Sequence, residues 1–205
     1  MARAMRQTDR RDQLLLAALD AIRERGIGNL RVQDVAERAG VSTGTVHYHF
    51  SDIEQLIHDV FAWASDRFYA LRLEALAGTS DAREQLAGMI ATGLPDDEND
   101  ALVVALYDIG IYRRGGMSFD LVTQALFDRQ VALYFSTLQL GVAQGHFRLR
   151  GPIVDLAQNL VALEDAYGLH IVSGNRSTPP DRARRLILDY ARTVTDCGDL
   201  ALPIA

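Results

Sequence analysis

The 205-residue chain contains no lysine, only one cysteine and no long apolar run. Its 21 strong cations are therefore all arginines, which bind oxyanions through a planar fork of donors. The single cysteine, Cys197, excludes an internal disulfide framework and fits a reducing compartment. No apolar run reaches the roughly 20 residues of a membrane span, and residues 1–12 lack the apolar core of a signal peptide. These absences predict a soluble, cytoplasmic protein without a membrane partner.

Motifs of catalysis and of metal binding are also missing. The chain has no Gly-x-Ser-x-Gly nucleophile elbow and no glycine-rich phosphate-binding motif, so an enzyme is the weaker alternative. His47 and His49 flank Tyr48, but side chains two residues apart on a helix diverge, and no cysteine or further histidine lies nearby. We therefore predict no metal, no cofactor and no catalytic residue.

The charges are distributed unevenly along the chain. The net charge of -6 argues against a protein that coats nucleic acid non-specifically. Residues 1–50 nevertheless contain 8 arginines and 6 acidic residues, whereas residues 51–205 contain 13 arginines and 21 acidic residues. A mildly basic first part on an acidic remainder fits a protein that touches DNA with one end only.

Start and stop signals for three short helices follow one another between residues 32 and 56. Gly40 fits the left-handed C-cap that ends the first of these helices. Ser42 is a good N-cap for a second helix over residues 43–49. Ser51 and Glu54 form an S-x-x-E capping box that opens a third. The apolar stripe of the first helix consists of Val32, Val35, Ala36 and Ala39.

Two short helices joined through a glycine turn are the helix-turn-helix arrangement. The N-terminus of the second helix presents backbone N–H groups and small hydroxyls to phosphates and base edges in the major groove. We expect Thr43, Thr45 and Tyr48 to supply most DNA contacts, and His49 to pack. The predicted DNA-binding residues are Arg31, Ser42, Thr43, Gly44, Thr45, His47, Tyr48 and His49.

The stretch from about Asp9 to Phe61 resembles the DNA-binding domain of TetR-family transcriptional regulators. Three residues depart from the family pattern: Arg31 replaces a capping Thr, His47 an aromatic residue that touches phosphate, and Asp52 a Lys that reaches the DNA backbone. The matching segments, in order and without a gap, are Asp34-Val35-Ala36, Ala39-Gly40-Val41-Ser42, Gly44-Thr45-Val46, His49-Phe50, and Ser51 with Leu56.

The resemblance implies a ligand-responsive, homodimeric transcriptional regulator, usually a repressor that a small effector releases from a palindromic operator. The family dimerises through its last two helices, which correspond here to about residues 152–173 and 179–195. Two other classes compete with this interpretation. An enzyme would show turnover, and a helical small-molecule-binding or structural protein would bind no operator DNA.

The rest of the chain predicts an all-α protein, because it contains no strand pattern, no repeat and no low-complexity segment. We expect a helix-turn-helix DNA-binding domain over residues 1–50 and a larger ligand-binding and dimerisation domain over residues 51–205. Besides the short helices above, we predict helices over residues 9–25, 52–77, 81–92, 101–112, 118–144, 152–173 and 179–195.

Both ends of the chain are predicted to lie outside the helices. Residues 1–8 read as an arm carrying Arg3 and Arg6, which either enters the minor groove or stays disordered. The tail from Cys197 is predicted to be loose.

Three carboxylates interrupt apolar helices and have no arginine three or four residues further along the same helix: Asp108, Glu164 and Asp165. A buried carboxylate needs an arginine from elsewhere, a water molecule or a ligand. Internal pairing is the simpler explanation for any single carboxylate. The candidate partners are Arg113, Arg114 and Arg129.

Aromatic residues on the same helices suggest a second explanation for the carboxylates, although each is more often a core residue. Together they could line an aromatic, acidic cavity that suits an apolar effector with a cationic group. Phe68 and Tyr112 lie on these helices as well. The predicted ligand-binding residues are Trp63, Tyr107, Asp108, Phe127, Tyr134, Glu164 and Tyr167.

Overall fold

The computed structural model describes the backbone of residues 2–112 and 117–203, and the side chains of residues 10–110 and 119–203. Within these ranges the chain is all-α, which confirms the predicted fold class. No helix there combines the length and the hydropathy that a membrane span needs. The helices are α1 (Ala2–Arg25), α2 (Val32–Ala39), α3 (Thr43–His49), α4 (Ile53–Ala77), α5 (Ala82–Thr92), α6 (Ala101–Tyr112), α7 (Met117–Ala143), α8 (Ile153–Val172) and α9 (Pro180–Thr195).

The helices form two compact units, and α4 and α7 each contribute to both. Unit 1 comprises Met1–Asp66 and Ala101–Thr123, and unit 2 comprises Arg67–Asp100 and Gln124–Ala205. Unit 1 thus contains residues 1–50 together with two further segments. The boundary at residue 50 between a DNA-binding domain and a ligand-binding domain concerns function rather than compactness, and it stays a prediction.

The core of unit 1 forms where α1 packs against α2, α6 and the start of α4. The buried residues of α1 include a stripe of Leu15, Ala18, Leu19 and Ile22. This stripe repeats at three and four residues, as one face of a helix requires. In α3 only Val46 is buried, so this helix is anchored to unit 1 by one side chain and leaves most of its surface exposed.

The N-terminus differs from the prediction. α1 begins at Ala2 rather than near Asp9, so the predicted arm over residues 1–8 is wrong for the backbone. The side chains of Arg3 and Arg6 lie outside the described part of the chain. We attribute the difference to the absence of proline and glycine before Gly26, since nothing in this stretch stops a helix.

The core of unit 2 is built from α5, α8 and α9 with the later parts of α4 and α7. α9 is amphipathic: Ala183, Ile187 and Ala191 face this core, while Arg185 and Leu186 are exposed. The helix bounds agree with the predictions to within a residue or two at most ends. Pro152 and Pro179 lie just before the first turns of α8 and α9 and act as their N-caps.

The segment after α9 is tied to unit 2, so the prediction of a loose tail from Cys197 is wrong for the residues described there. Leu200 is fully buried, and its carbonyl accepts hydrogen bonds from Arg192 Nε and Nη2 at 2.9 and 2.6 Å. Cys197 is buried as well, and burial raises the pKa of its thiol to about 11. A guanidinium reaching back from α9 therefore fixes the tail.

Candidate nucleic-acid interface and buried acidic cluster

The turn between α2 and α3 has the geometry that its sequence predicts. Gly40 lies in the left-handed region at φ 64° and ψ 37°, and the N–H of Val41 donates to the carbonyl of Ala36 at 2.9 Å. This hydrogen bond closes the C-terminus of α2 in the manner of a Schellman motif. A Cβ at position 40 would meet no atom within 4 Å, so backbone strain is the reason that glycine is favoured there.

The first turn of α3 is capped by hydroxyl groups. Ser42 Oγ accepts a hydrogen bond from the N–H of Thr45 at 3.2 Å, and the two hydroxyl oxygens lie 3.0 Å apart. Thr45 is half-buried, and its hydroxyl takes part in the cap. Thr43 is exposed and is therefore better placed than Thr45 to contact a molecule outside the protein.

The predicted DNA-binding residues lie mostly at the surface of unit 1. Thr45 and His49 are half-buried, and the others are exposed. Tyr48 is 73% exposed, and its ring stands edge-on to that of His49 with centroids 5.2 Å apart. Because α3 contains hydroxyl, imidazole and phenol groups but no carboxylate, its surface offers hydrogen-bond donors without repelling phosphate.

The start of α2 explains how Arg31 stands where a capping threonine is usual. Arg31 has no side-chain acceptor, but its N–H donates to Asp34 Oδ2 at 2.9 Å. The other oxygen of this buried carboxylate, Oδ1, lies 2.7 Å from Arg25 Nη1. Asp34 thus stabilises the start of α2 without help from the Arg31 side chain, which stays exposed.

The start of α4 corrects the predicted capping box of Ser51 and Glu54. The cap is Asp52, whose Oδ1 accepts from the N–H of Gln55 at 2.8 Å, while Gln55 Oε1 accepts from the N–H of Ser51 at the same distance. The box therefore lies one residue later than predicted. The hydrogen bond from the Gln55 backbone, helped by the Ser51 hydroxyl, lowers the pKa of Asp52. Asp52 consequently has an internal role at the position where the family often has lysine.

Arg11 is held by contacts within unit 1. Its Nη2 lies 2.7 Å from Asp59 Oδ2, and its guanidinium carbon lies 5.5 Å from the centroid of the buried Phe50 ring. Both contacts favour an orientation against α4. Arg11 thus fastens α1 to the start of α4.

The seven predicted ligand-binding residues are divided between the two units. Trp63, Tyr107 and Asp108 belong to unit 1, where Trp63 packs against the apolar core. The members in unit 2 are Phe127, Tyr134, Glu164 and Tyr167, of which the three aromatic residues belong to its core or pack against it.

Glu164 is the centre of a buried polar cluster in unit 2. Its Oε2 lies 2.9 Å from Arg72 Nη1, and its Oε1 accepts hydrogen bonds from Arg72 Nη2 at 3.2 Å and from the Tyr134 hydroxyl at 2.5 Å. The Arg72 and Tyr134 side chains are fully buried, and Glu164 is 2% exposed. Internal pairing is therefore found for Glu164, but the partner is Arg72 and none of the three predicted arginines.

Burial disfavours the charges of this cluster, and the pairing between Arg72 and Glu164 stabilises them. Burial raises the pKa of Glu164, although Arg72 opposes the shift. Burial disfavours the charge on Arg72, but the attraction of Glu164 outweighs it and raises the pKa of the guanidinium. Burial and the neighbouring carboxylate raise the pKa of the Tyr134 hydroxyl. We conclude that the cluster is an ion pair with the tyrosine as a neutral donor.

The other predicted carboxylates and cations have different surroundings. Asp108 is half-buried, and burial raises its pKa; among the described residues it has no ion-pair or hydrogen-bond partner. Asp165 is exposed. Arg129 stacks on Tyr69, with its guanidinium carbon 4.7 Å from the ring centroid. Arg113 and Arg114, and the side chain of Tyr112, lie outside the described residues.

Arg72 is the residue of this cluster that the sequence analysis missed. A signal was available, because Arg72 continues a buried stripe of α4 at helical spacing. A charged side chain on such a stripe requires a buried partner, and Glu164 is one of the three carboxylates that lack a cation on their own helices. The stripe consists of Phe61, Ser65, Phe68 and Arg72.

Metal binding has no support in the described parts of the chain. No three His, Cys, Asp or Glu side chains there lie close enough together to hold an ion. His47 and His49 differ in exposure, and His49 packs against the rings on either side of it.

Comparison with known proteins fits this geometry. Residues 14–60 match the family of bacterial regulatory proteins described as the tetR family. Over 140 residues the chain is 29% identical to the HTH-type transcriptional repressor KstR2 of Mycolicibacterium smegmatis, with 68% of each protein covered. It is also 34% identical over 96 residues to the HTH-type transcriptional regulator BetI of Klebsiella pneumoniae, covering 40% of this chain and 49% of that protein.

Solved structures extend the likeness to almost the whole chain. A TetR-family regulator from Rhodococcus sp. is 26% identical with a TM-score of 0.76, and the match covers 92% of this chain and 99% of that one. A transcriptional regulator from Saccharomonospora viridis, solved in complex with choline, is 24% identical with a TM-score of 0.82 over 90% of this chain and 96% of that one. At this level of identity the likeness shows that the two chains share a fold.

The capped α3 on an all-α frame defines a helix-turn-helix, DNA-binding transcriptional regulator. The match over residues 14–60 contains the entire α2–turn–α3 segment. Residues 14–60 thus carry the DNA-binding domain of the tetR family of bacterial regulatory proteins, and the fold of the chain is similar to that of a TetR-family regulator.

Proposed function

We propose that this protein is a repressor that binds a palindromic operator as a homodimer and leaves it when a small effector binds. The observation that carries this proposal is the exposed, hydroxyl-capped α3 held on unit 1 by Val46. The similarity to KstR2, a repressor matched over 68% of its length, supports repression rather than activation. The protein acts by binding rather than by catalysis, and its DNA partner places it in the cytoplasm.

The proposed DNA-contacting surface is centred on the first turn and the exposed face of α3. Thr43 and Tyr48 supply the main contacts, since both side chains are exposed. Thr45 contributes chiefly to the cap, because its hydroxyl lies 3.0 Å from Ser42 Oγ. His47 and Arg31 add exposed donors at either side of this surface.

The homodimer is proposed to form through α8 and α9. One helix-turn-helix covers only a half-site, and a two-fold dimer matches a palindrome. The outer faces of these helices include exposed leucines, Leu169 at 40% and Leu186 at 36%. Burying such side chains against a second copy would remove apolar surface from water.

The effector is proposed to be an apolar molecule with a cationic group. A structurally similar regulator from Saccharomonospora viridis was solved in complex with choline, a quaternary ammonium compound, and supports this class. In unit 1 the half-buried Asp108 offers a carboxylate for such a group. In unit 2 Glu164 is already paired with Arg72, so a cation there has to compete.

A gel-shift experiment with the DNA upstream of the protein's own reading frame tests this function. A coding-sequence fragment of the same length serves as the control. We expect a discrete shift of the upstream fragment alone, and we expect choline or another amine to reverse it. Equal binding of both fragments would contradict the proposal.

A further inference from the structure

Arg72 lies in surroundings that suit an organic cation in general. Its guanidinium carbon lies 5.6 Å from the centroid of the Phe68 ring and 5.3 Å from that of the Tyr134 ring, within the range of cation–π attraction. Glu164 supplies the opposite charge at 2.9 Å. A carboxylate beside two aromatic rings is the combination that binds an ammonium group, and here a cation of the protein itself occupies it. We call Phe68, Tyr134 and Glu164 the cation cage.

We propose that Arg72 is an internal substitute for the effector, and that an amine or quaternary ammonium ligand binds the cation cage by displacing its guanidinium. The inference rests on the proposed function. It goes further by naming a site in unit 2 and the group that the ligand must replace.

The cage has no room for both cations. Arg72 and Tyr134 are fully buried, and the backbone of Gly93 closes one side. A Cβ placed on Gly93 would lie 1.8 Å from Glu164 Oε1 and 2.4 Å from Arg72 Nη1. Because even a methyl group would not fit there, a ligand has to exchange with Arg72 rather than bind beside it.

Arg72 fills the cage imperfectly, which makes exchange possible. Its buried Nε has no hydrogen-bond acceptor among the described residues. A buried donor without an acceptor is unfavourable, and a guanidinium carries five N–H donors to satisfy. A quaternary ammonium group has no N–H donor, so it can use the rings and the carboxylate of the cage without this cost.

Displacement gives a direct route from ligand to α4. Arg72 is part of α4 (Ile53–Ala77), the helix that contributes to both units. Once released, the guanidinium needs water or a new partner, so the ligand-bound and ligand-free states hold this part of α4 differently. A ligand shifts the equilibrium between two states only if it binds one of them more tightly. The state in which Arg72 has left the cage is the one that binds the ligand.

Calorimetric titration with choline tests the exchange. Arg72→Ala empties the cage and should bind choline about tenfold more tightly than the parent protein, because the ligand no longer competes. Adding Glu164→Gln to that variant should abolish the gain. The neutral carbon analogue 3,3-dimethyl-1-butanol should bind all three proteins alike. Equal choline affinity in parent and Arg72→Ala, or a gain that survives Glu164→Gln, would overturn the proposal.

Thermal melting extends the test to a variant with low stability. Arg72→Ala leaves Glu164 buried without its cation, and bound choline should supply the missing positive charge. We expect millimolar choline to raise the Tm of Arg72→Ala more than that of the parent protein. No such difference would overturn the inference.

The parent protein provides a test without any destabilising substitution. The Nε–H proton of Arg72 is buried and should exchange slowly with water, as observed by NMR and assigned through its loss in Arg72→Lys. Saturating choline should accelerate this exchange, because the guanidinium leaves the cage. An unchanged rate at saturation would overturn the inference.

Upstream DNA binding, measured in parallel, separates the two proposals. A parent protein that binds this DNA, with an Arg72→Ala variant indifferent to choline, overturns the exchange and leaves the regulator intact. A parent protein that binds no DNA contradicts the proposed function whatever choline does.

Discussion

At the scale of single residues, Gly93 is a position where packing leaves no room for a side chain. It ends α5 and lies against the ion pair of Arg72 and Glu164, which joins residues 92 positions apart. Its φ of -81° is ordinary, so lack of space rather than backbone strain requires glycine. Gly78 offers a contrast, because a Cβ there would meet no atom within 4 Å.

We therefore predict that Gly93→Ala destabilises the protein by about 1–3 kcal/mol, as overpacking of a core does. Circular dichroism melting should record a drop in Tm of several degrees, since about 1 kcal/mol corresponds to about 2–4 °C for a chain of this size. Gly78→Ala is the matched control and should keep the Tm of the parent. Equal Tm values for the two variants would show that the pair tolerates a nearby methyl group.

Asp81 is the residue whose charge should be visible in the acid stability of the protein. Its carboxylate accepts from Arg83 Nη2 at 2.7 Å and from the Arg83 N–H at 2.8 Å. These hydrogen bonds lower the pKa of Asp81 to about 2. A carboxyl group with a depressed folded pKa stabilises the protein above its unfolded pKa of about 4, and loses this contribution as the pH falls through the folded value.

We predict that the parent protein melts above Asp81→Asn at pH 5 and that the difference shrinks as the pH is lowered toward 2. Scanning calorimetry at four or five pH values measures it. A difference that stays constant over this range would mean that the Asp81 charge contributes nothing.

At the scale of elements, capping residues in the sequence predicted most helix ends, because a helix end depends mainly on residues close to it in the chain. Gly40 and Ser42 occupy the predicted caps of α2 and α3, because each cap depends on hydrogen bonds within five residues. The box at α4 was misplaced by one residue, because Ser51 and Asp52 are both good caps and only the backbone path decides between them. The helical N-terminus was missed because arms and helices share polar residues.

Contacts between distant residues could not be predicted in the same way. Asp108 and Glu164 lack a cation three or four residues further along their own helices. The sequence shows this directly, because such pairs depend only on the spacing within one helix. The choice of Arg72 as partner depends on packing within unit 2, which no spacing in the sequence reveals. The tail from Cys197 is a second example, because Arg192 fixes it through a backbone carbonyl.

The cap of α3 gives a prediction for an element. Ser42→Ala removes the acceptor for the Thr45 N–H and should cost about 1 kcal/mol of stability, which corresponds to about 2–4 °C in Tm. It should also weaken operator binding, because the first turn of α3 frays. Ser136→Ala, at an exposed position of α7, is the control and should change neither. A Ser42→Ala protein with parental Tm and parental DNA affinity would rule out the role of the cap.

At the scale of the whole molecule, α8 and α9 determine the expected assembly. Light scattering at micromolar concentration should give twice the chain mass of 22.6 kDa. Leu169→Arg with Leu186→Arg should shift this mass toward the monomer, because charges replace apolar contacts between copies. Leu121→Arg, at a leucine 66% exposed on α7, is the control. A parent protein of 22.6 kDa, or a doubly substituted protein that stays dimeric, would contradict this interface.

The most direct measurement of the central claim is fluorescence anisotropy of a labelled upstream operator duplex titrated with protein at fixed salt. Thr43→Ala and Tyr48→Ala should each weaken binding about tenfold, while their Tm values stay parental, because both side chains are exposed. Thr123→Ala, at an exposed threonine on α7, should bind as the parent does. Unchanged operator affinity in both α3 variants would contradict the account that this helix reads the DNA.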